Sequence, residues 1–113
     1  MLLLVSTPLH ILLVDVESKK VSRLRTGDGY YYGISYKNET IVLSHTGGYL
    51  QYFDVAQKEM RTENHLLQPH QVEWVDNYIL VANTGRNCIT VFDELGNLYK
   101  DIYLNEIIKV NYR

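Results

Sequence analysis

Three short apolar segments, ILLVD, LQYFD and ITVFD, end on Asp15, Asp54 and Asp93, and these aspartates stand 39 residues apart. The columns before them agree without a gap: Val14, Phe53 and Phe92; Leu13, Tyr52 and Val91; Ile11, Leu50 and Ile89. A second set precedes each of these, LLLVST to Thr7, TIVLSHT to Thr46 and YILVANT to Thr84, at intervals of 39 and 38 residues, the odd residue falling in the turn before Cys88. A third set, YYGISYKNE and HQVEWVDN, precedes two of those. Self-similarity at this period means one supersecondary unit used repeatedly in a stacked or circular array, because a single unit cannot bury its own apolar face.

The repeated segments read as strands. They are short, rich in Val, Ile, Leu, Tyr and Phe, and bounded by the turn formers Lys37-Asn38, Gly47-Gly48, Asp76-Asn77 and Gly96-Asn97; these residues favour pleated, half-buried surfaces and tight reversals. ILLV, IVL and ILV are continuous rather than alternating, as expected where neighbouring sheets cover both faces. Each unit reads as four antiparallel strands: an inner strand (YYGIS or QVEWV), then IVLS or ILVA, then YLQYF or CITVF, and an outer strand near KEMRT or LYKDI. This is an all-β reading, with each unit a blade of a β-propeller, whose repeat is typically about 40–45 residues. The unit boundaries fall near 1–30, 31–68 and 69–105, leaving 106–113 over.

Residues 69–98, PHQVEWVDNYILVANTGRNCITVFDELGNL, resemble an NHL-type propeller repeat. The matching positions are Pro69, Val72, Ala82, Asn83, Thr84, Gly85, Asn87, Phe92, Asp93 and Gly96; Cys88 stands where that family usually carries Arg. The preceding unit keeps Thr46, Gly47, Phe53 and Asp54 but places His45 where an Asp or Asn is usual. The resemblance implies a propeller and does not imply an activity, since propellers host unrelated functions.

Length then sets an expectation about assembly. A chain of 113 residues holds about three such units, whereas propellers close with about four to eight blades. An open arc of three exposes two apolar faces; two copies about a two-fold axis give six blades, and two-fold dimers are the commonest homo-oligomers. The sequence opens on LLLVST, the second strand of a blade, and closes on EIIKVNYR, residues 106–113. The expectation is a homodimeric six-bladed ring, in which the tail of one copy supplies the inner strand of the first blade of the other. A fragment of a longer propeller is the alternative.

Composition narrows the partners. With 46% hydrophobic residues, 11 basic against 13 acidic residues and a formal net charge of -2, the chain lacks the signature of disorder and gives no electrostatic reason to expect nucleic acid or an anionic membrane. A single cysteine, Cys88, forms no internal disulfide and suits a reducing compartment. The apolar start is interrupted by Pro8 and His10, has no preceding Lys or Arg and so does not read as a signal peptide. No stretch approaches the roughly 20 apolar residues of a membrane-spanning helix. The expected location is cytoplasmic.

Candidate chemistry is sparse. His10, His45, His65 and His70 form no closely spaced pair, and no cysteine pair exists, so no structural zinc site is expected. His70 follows Pro69 at the start of an inner strand, and inner strands line a propeller's channel. The PHQVEW segment with YILVAN after it is faintly similar to the Pro-His segment of calcium-dependent paraoxonase-type lactonases, which implies a catalytic His70; the plainer role is a hydrogen bond at the strand start. Ser6, His45 and Asn83 form a polar column one residue before the matched threonines. Asn83 and Glu73 are the oxygen donors a calcium shell would draw on, whereas Asp15, Asp54 and Asp93 read as turn residues accepting backbone N–H bonds. Among the ten tyrosines, Tyr31 and Tyr32, after Gly27, Gly29 and Tyr30, are candidates to stack on a ligand at the channel mouth. Trp74 reads as wedged between blades, and Gly47-Gly48 and Gly85-Arg86-Asn87 as turns.

Two functions fit. One is a non-enzymatic binding or assembly module without a cofactor, its ligand a small molecule or a peptide bound near His70, Tyr31, Tyr32, His45, Asn83 and Glu73. The other is a calcium-dependent lactonase-like hydrolase on the same scaffold. The first is preferred, because no nucleophile with an attendant base and no carboxylate-rich loop set is visible.

Overall fold

The structure, a computed structural model, describes residues 1–26, 31–54 and 59–107. Among the described residues, eleven strands form three antiparallel sheets. The first sheet contains β1 (Leu2–Ser6), β2 (His10–Asp15) and β3 (Lys20–Thr26). The second contains β4 (Tyr31–Lys37), β5 (Thr40–His45), β6 (Tyr49–Phe53) and β7 (Glu59–Arg61). The third contains β8 (Pro69–Val75), β9 (Tyr78–Asn83), β10 (Cys88–Asp93) and β11 (Leu98–Tyr103). Every sheet is a meander in which consecutive strands pair. A 3-10 turn spans Thr84–Arg86, and a single helical turn, Leu104–Ile107, follows β11. The expected inner-strand start at Gly27, Gly29 and Tyr30 lies outside the described residues, as does 108–113, most of the expected closing strand.

Turn chemistry explains the hairpins. Lys37 pairs with Thr40, and the two residues between them, Asn38 and Glu39, both have positive φ, 50° and 64°, the backbone of a twist-matched two-residue hairpin. Asp93 Oδ1 accepts the Leu95 and Asn97 N–H groups, each at 2.9 Å, and Asp15 Oδ1 accepts Glu17 N–H at 3.1 Å. The Asn97 N–H foremost holds the Asp93 carboxyl below the usual carboxylate range, and the Ser18 N–H does the same for Asp15. The expected turn role of these two aspartates is what the structure contains.

The sheets pack face to face, with apolar layers between them. Ile11 from the first sheet meets Tyr31, Leu43 and Phe53 of the second. Val42, Leu50 and Tyr52 of the second sheet, with Leu66 from the loop after it, meet Val72, Ile79, Val81 and Phe92 of the third, and Trp74 packs against this layer. All five residues of β6 are buried, which matches the continuous apolar pattern of a strand covered on both sides. Each such side chain contributes about 1.5–3 kcal/mol of burial.

The strands β4 and β8 approach so closely that only glycine fits at position 33. A Cβ there would stand 2.3 Å from the His70 carbonyl oxygen and 2.9 Å from the Val72 nitrogen. Gly33 N–H donates to Ser44 Oγ at 2.8 Å, and the Ser44 hydroxyl donates to the His70 carbonyl. Ser35 Oγ accepts the Trp74 N–H at 3.3 Å. Polar atoms of β4 and β5 thus lock β8 against the second sheet.

The first sheet differs from the other two. In the repeat, β1 corresponds to β5 and β9, and those strands have β4 and β8 as inner neighbours. Among the described residues, β1 is bonded to β2 on one side and has no strand paired on the other. Leu2, Leu3 and Val5 on this edge strand are 62%, 44% and 36% exposed.

Candidate functional site

The six residues singled out from the sequence divide into a buried set and an exposed set. Successive side chains of a strand point to opposite faces, so neighbouring Tyr31 and Tyr32 part company. Tyr31 is buried; its hydroxyl donates to Gln51 Oε1 at 2.9 Å, and its ring meets His45 edge-on at 5.3 Å. His45 is buried too, stacked on Tyr49 at 4.5 Å, with its Nδ1 accepting the Gly47 N–H at 2.8 Å. Asn83 is fully buried. Its Oδ1 accepts the Leu67 N–H at 2.8 Å and its amide donates to Thr90 Oγ1 at 2.9 Å.

Tyr32 and His70 are brought together at the surface. Tyr32 is 53% exposed, and its ring stacks on that of His70 at 4.8 Å with an interplanar angle of 12°. Further along β8 the exposed Gln71 donates from Nε2 to Glu73 Oε1 at 2.8 Å. The inner strands therefore present an aromatic plate, an imidazole, an amide and a carboxylate on one stretch. Gln71 was not legible as part of this set, although it lies between two residues that were.

Asn83 and Glu73, the oxygen donors expected of a calcium shell, stand apart on the third sheet. Asn83 pairs with Pro69 and Glu73 with Leu80, which separates them by three residues of β9, about 10 Å. Among the described residues no group of three His, Cys, Asp or Glu side chains is placed to hold a metal ion. Cys88 is a buried free thiol.

A polar chain that the sequence does not announce crosses the third sheet. His65 Nε2 lies 2.8 Å from Asp101 Oδ2, the Thr90 hydroxyl donates to Asp101 Oδ1 at 2.6 Å, and Thr90 in turn takes the Asn83 amide. Burial alone would raise the Asp101 carboxyl; the hydrogen bonds from Thr90 and His65, with the charges of His65 and Arg86, override it and hold its pKa below the usual range. His65 and Asp101 are 36 residues apart, with no spacing motif to connect them. A concavity of about 210 Å³ adjoins this chain, lined by Glu63, Asn64, His65 and Asn97 among others.

A second concavity, about 250 Å³, lies along the open edge of the first sheet, between Leu2, Leu3 and Leu4 of β1 and Ile34, Ser35 and Tyr36 of β4. No helix among the described residues is long and apolar enough to cross a membrane.

No protein family and no curated protein matches the chain. Among solved structures, the chain is similar to a chain of the crystal structure of a nidogen/laminin complex, with a TM-score of 0.73 and 13% identity over 83% of this chain. It spans 38% of the length of that chain. The fold is β-propeller-like.

Proposed function

We propose that the protein is a non-enzymatic binding and assembly module: a partial propeller of NHL-like units whose inner strands bind an extended peptide and whose ring is completed by a second copy, giving six blades. The observation that carries the binding reading is the Tyr32–His70 stack with Gln71 and Glu73 beside it. An exposed aromatic plate gives apolar contact at low entropic cost, while the neighbouring amide and carboxylate fix the direction of a polar backbone or a basic side chain. The assembly reading is supported by the exposed apolar edge strand β1. The likeness to a chain from a nidogen/laminin complex is consistent with a protein ligand.

The test is a phage-displayed random heptapeptide library panned on the purified protein. The expected result is a consensus whose binding, measured by calorimetry, falls at least tenfold (about 1.4 kcal/mol) in Tyr32→Ala and in His70→Ala. Enriched peptides that bind both variants as well as the parent protein would place the ligand elsewhere. Light scattering measures the assembly separately, with a particle of twice the chain mass expected.

A further inference from the structure

We infer that the concavity beside His65 is a binding site for a guanidinium on an aliphatic stem, held by His65 Nδ1, Asn97 Oδ1 and the Glu63 carboxylate. The site is formed by the loop after β7 and the β10–β11 hairpin. It uses none of the inner-strand residues Tyr32, His70, Gln71 and Glu73 and stands independently of the peptide and assembly readings above.

Donor and acceptor accounting gives the chemistry of the ligand. Asp101 is held in its ionised form by its neighbours, and a carboxylate only accepts. The His65 Nε2 that lies 2.8 Å from it therefore carries the proton, and on the neutral ring the nitrogen left to a ligand is Nδ1, a lone-pair acceptor. Asn97 is fixed in the same way. Its backbone N–H and its Nδ2 both donate to the Asp93 carboxylate, at 2.9 and 3.2 Å, which leaves Oδ1 as the acceptor of that side chain. Two carboxylates thus turn an imidazole and an amide, each able to serve in either sense, into acceptors. The Glu63 carboxylate makes no hydrogen bond or ion pair among the described residues, and all three side chains line the concavity.

Acceptors spread around one small space call for a ligand rich in donors. A guanidinium offers five N–H groups in a planar fork, whereas an ammonium is a compact point charge. The apolar part of the lining, Phe92 and Leu98, suits the methylenes behind such a head group. The volume of about 210 Å³ fits a single side chain and lies below the roughly 300–1,000 Å³ of sites for drug-sized molecules. The wall is set before a ligand arrives: the His65 and Leu66 N–H groups donate to the Gly48 carbonyl at 3.0 and 2.9 Å. Arg86, whose Nη1 donates to the His65 carbonyl at 3.1 Å, does not line the concavity. A pre-formed site loses little affinity to ordering.

The test is an amide NMR titration of the full chain at low salt with ethylguanidinium, n-butylammonium and the tripeptide acetyl-Gly-Arg-Gly-amide. The expected result is saturable shifts at residues 63–65 and 96–98 with ethylguanidinium, and weaker binding of n-butylammonium. A tripeptide that binds more tightly than ethylguanidinium identifies an arginine side chain of a protein as the source; one that binds more weakly identifies a free small guanidine. Shifts confined to other residues, or equal affinity for the ammonium probe, overturn the proposal. Glu63→Gln removes the charge at an exposed position, and the affinity for ethylguanidinium should fall about tenfold with an unchanged urea midpoint, the loss of one hydrogen bond to a charged group. Unchanged affinity in that variant overturns the proposal. Asp101→Asn provides the second measurement: an amide that keeps the Thr90 hydroxyl on its oxygen offers N–H to His65 Nε2 and moves the ring proton to Nδ1, which imidazole nitrogen chemical shifts report. Guanidinium binding should be lost with that shift of the proton, and binding retained with the proton on Nδ1 overturns the proposal.

Discussion

Thr90 donates its hydroxyl hydrogen to Asp101 Oδ1 at 2.6 Å, while the other oxygen of that carboxylate lies 2.8 Å from His65 Nε2. The pair ties β10 to β11 and both to the loop that leads into β8. Because the folded-state pKa of Asp101 is lowered, its contribution to stability is fully present above the ordinary Asp value of about 3.9 and is lost as pH falls through the lower folded value. Urea midpoints measured from pH 6 downward should fall below about pH 4. In Asp101→Ala the fall should be shallower, starting from a protein about 1–3 kcal/mol less stable, because Thr90 loses a buried acceptor. An acid profile unchanged by the substitution would remove Asp101 from the account.

Gly33 is set by space rather than by backbone conformation. The methyl group of Gly33→Ala would meet two backbone atoms of β8, at 2.3 and 2.9 Å, and neither can rotate away. Separating β4 from β8 should cost about 1–3 kcal/mol, the range of overpacked cores, with the change appearing in the urea midpoint. A neutral outcome would mean that the inner strands are less closely packed than this.

Tyr52 presents the opposite case. Its side chain is buried, its hydroxyl has no hydrogen-bond partner among the described residues, and burial, with Asp93 nearby, pushes the phenol far above its ordinary pKa. An unpaired buried hydroxyl destabilises, so Tyr52→Phe should be neutral or stabilising by up to about 1 kcal/mol. Tyr52→Leu should destabilise through the volume it removes. Chemical denaturation of the two variants checks the contrast.

The repeat period makes the strands legible in the sequence, because β-branched and aromatic runs between turn formers have few alternatives. It also exposed Asp15 and Asp93, whose side chains act within a few residues of themselves. Facing was harder. Tyr31 and Tyr32 are neighbours on one strand and so face opposite ways, and the residues around them do not say which faces inward; Tyr31 is core and Tyr32 surface. The link between His65 and Asp101 spans 36 residues and exists only once β11 lies beside β10; no local pattern encodes it.

Asn83 decides between a structural and a metal-binding reading of the same column. Both ends of its amide are engaged, Oδ1 by Leu67 and Nδ2 by Thr90, at a site without solvent exposure. If it is a structural tie, Asn83→Ala leaves the Leu67 N–H without its acceptor and Thr90 without its donor, at a cost of about 1–3 kcal/mol, and millimolar calcium does not move the melting temperature of the parent protein. If it is a calcium ligand, calcium raises that temperature by several degrees, EDTA reverses the rise, and Asn83→Ala abolishes it, since an ion bound only to the folded state stabilises by mass action. The expected outcome is the first. Thermal melts of the two proteins with calcium and with EDTA separate the readings, and the calcium-dependent hydrolase returns only with the second.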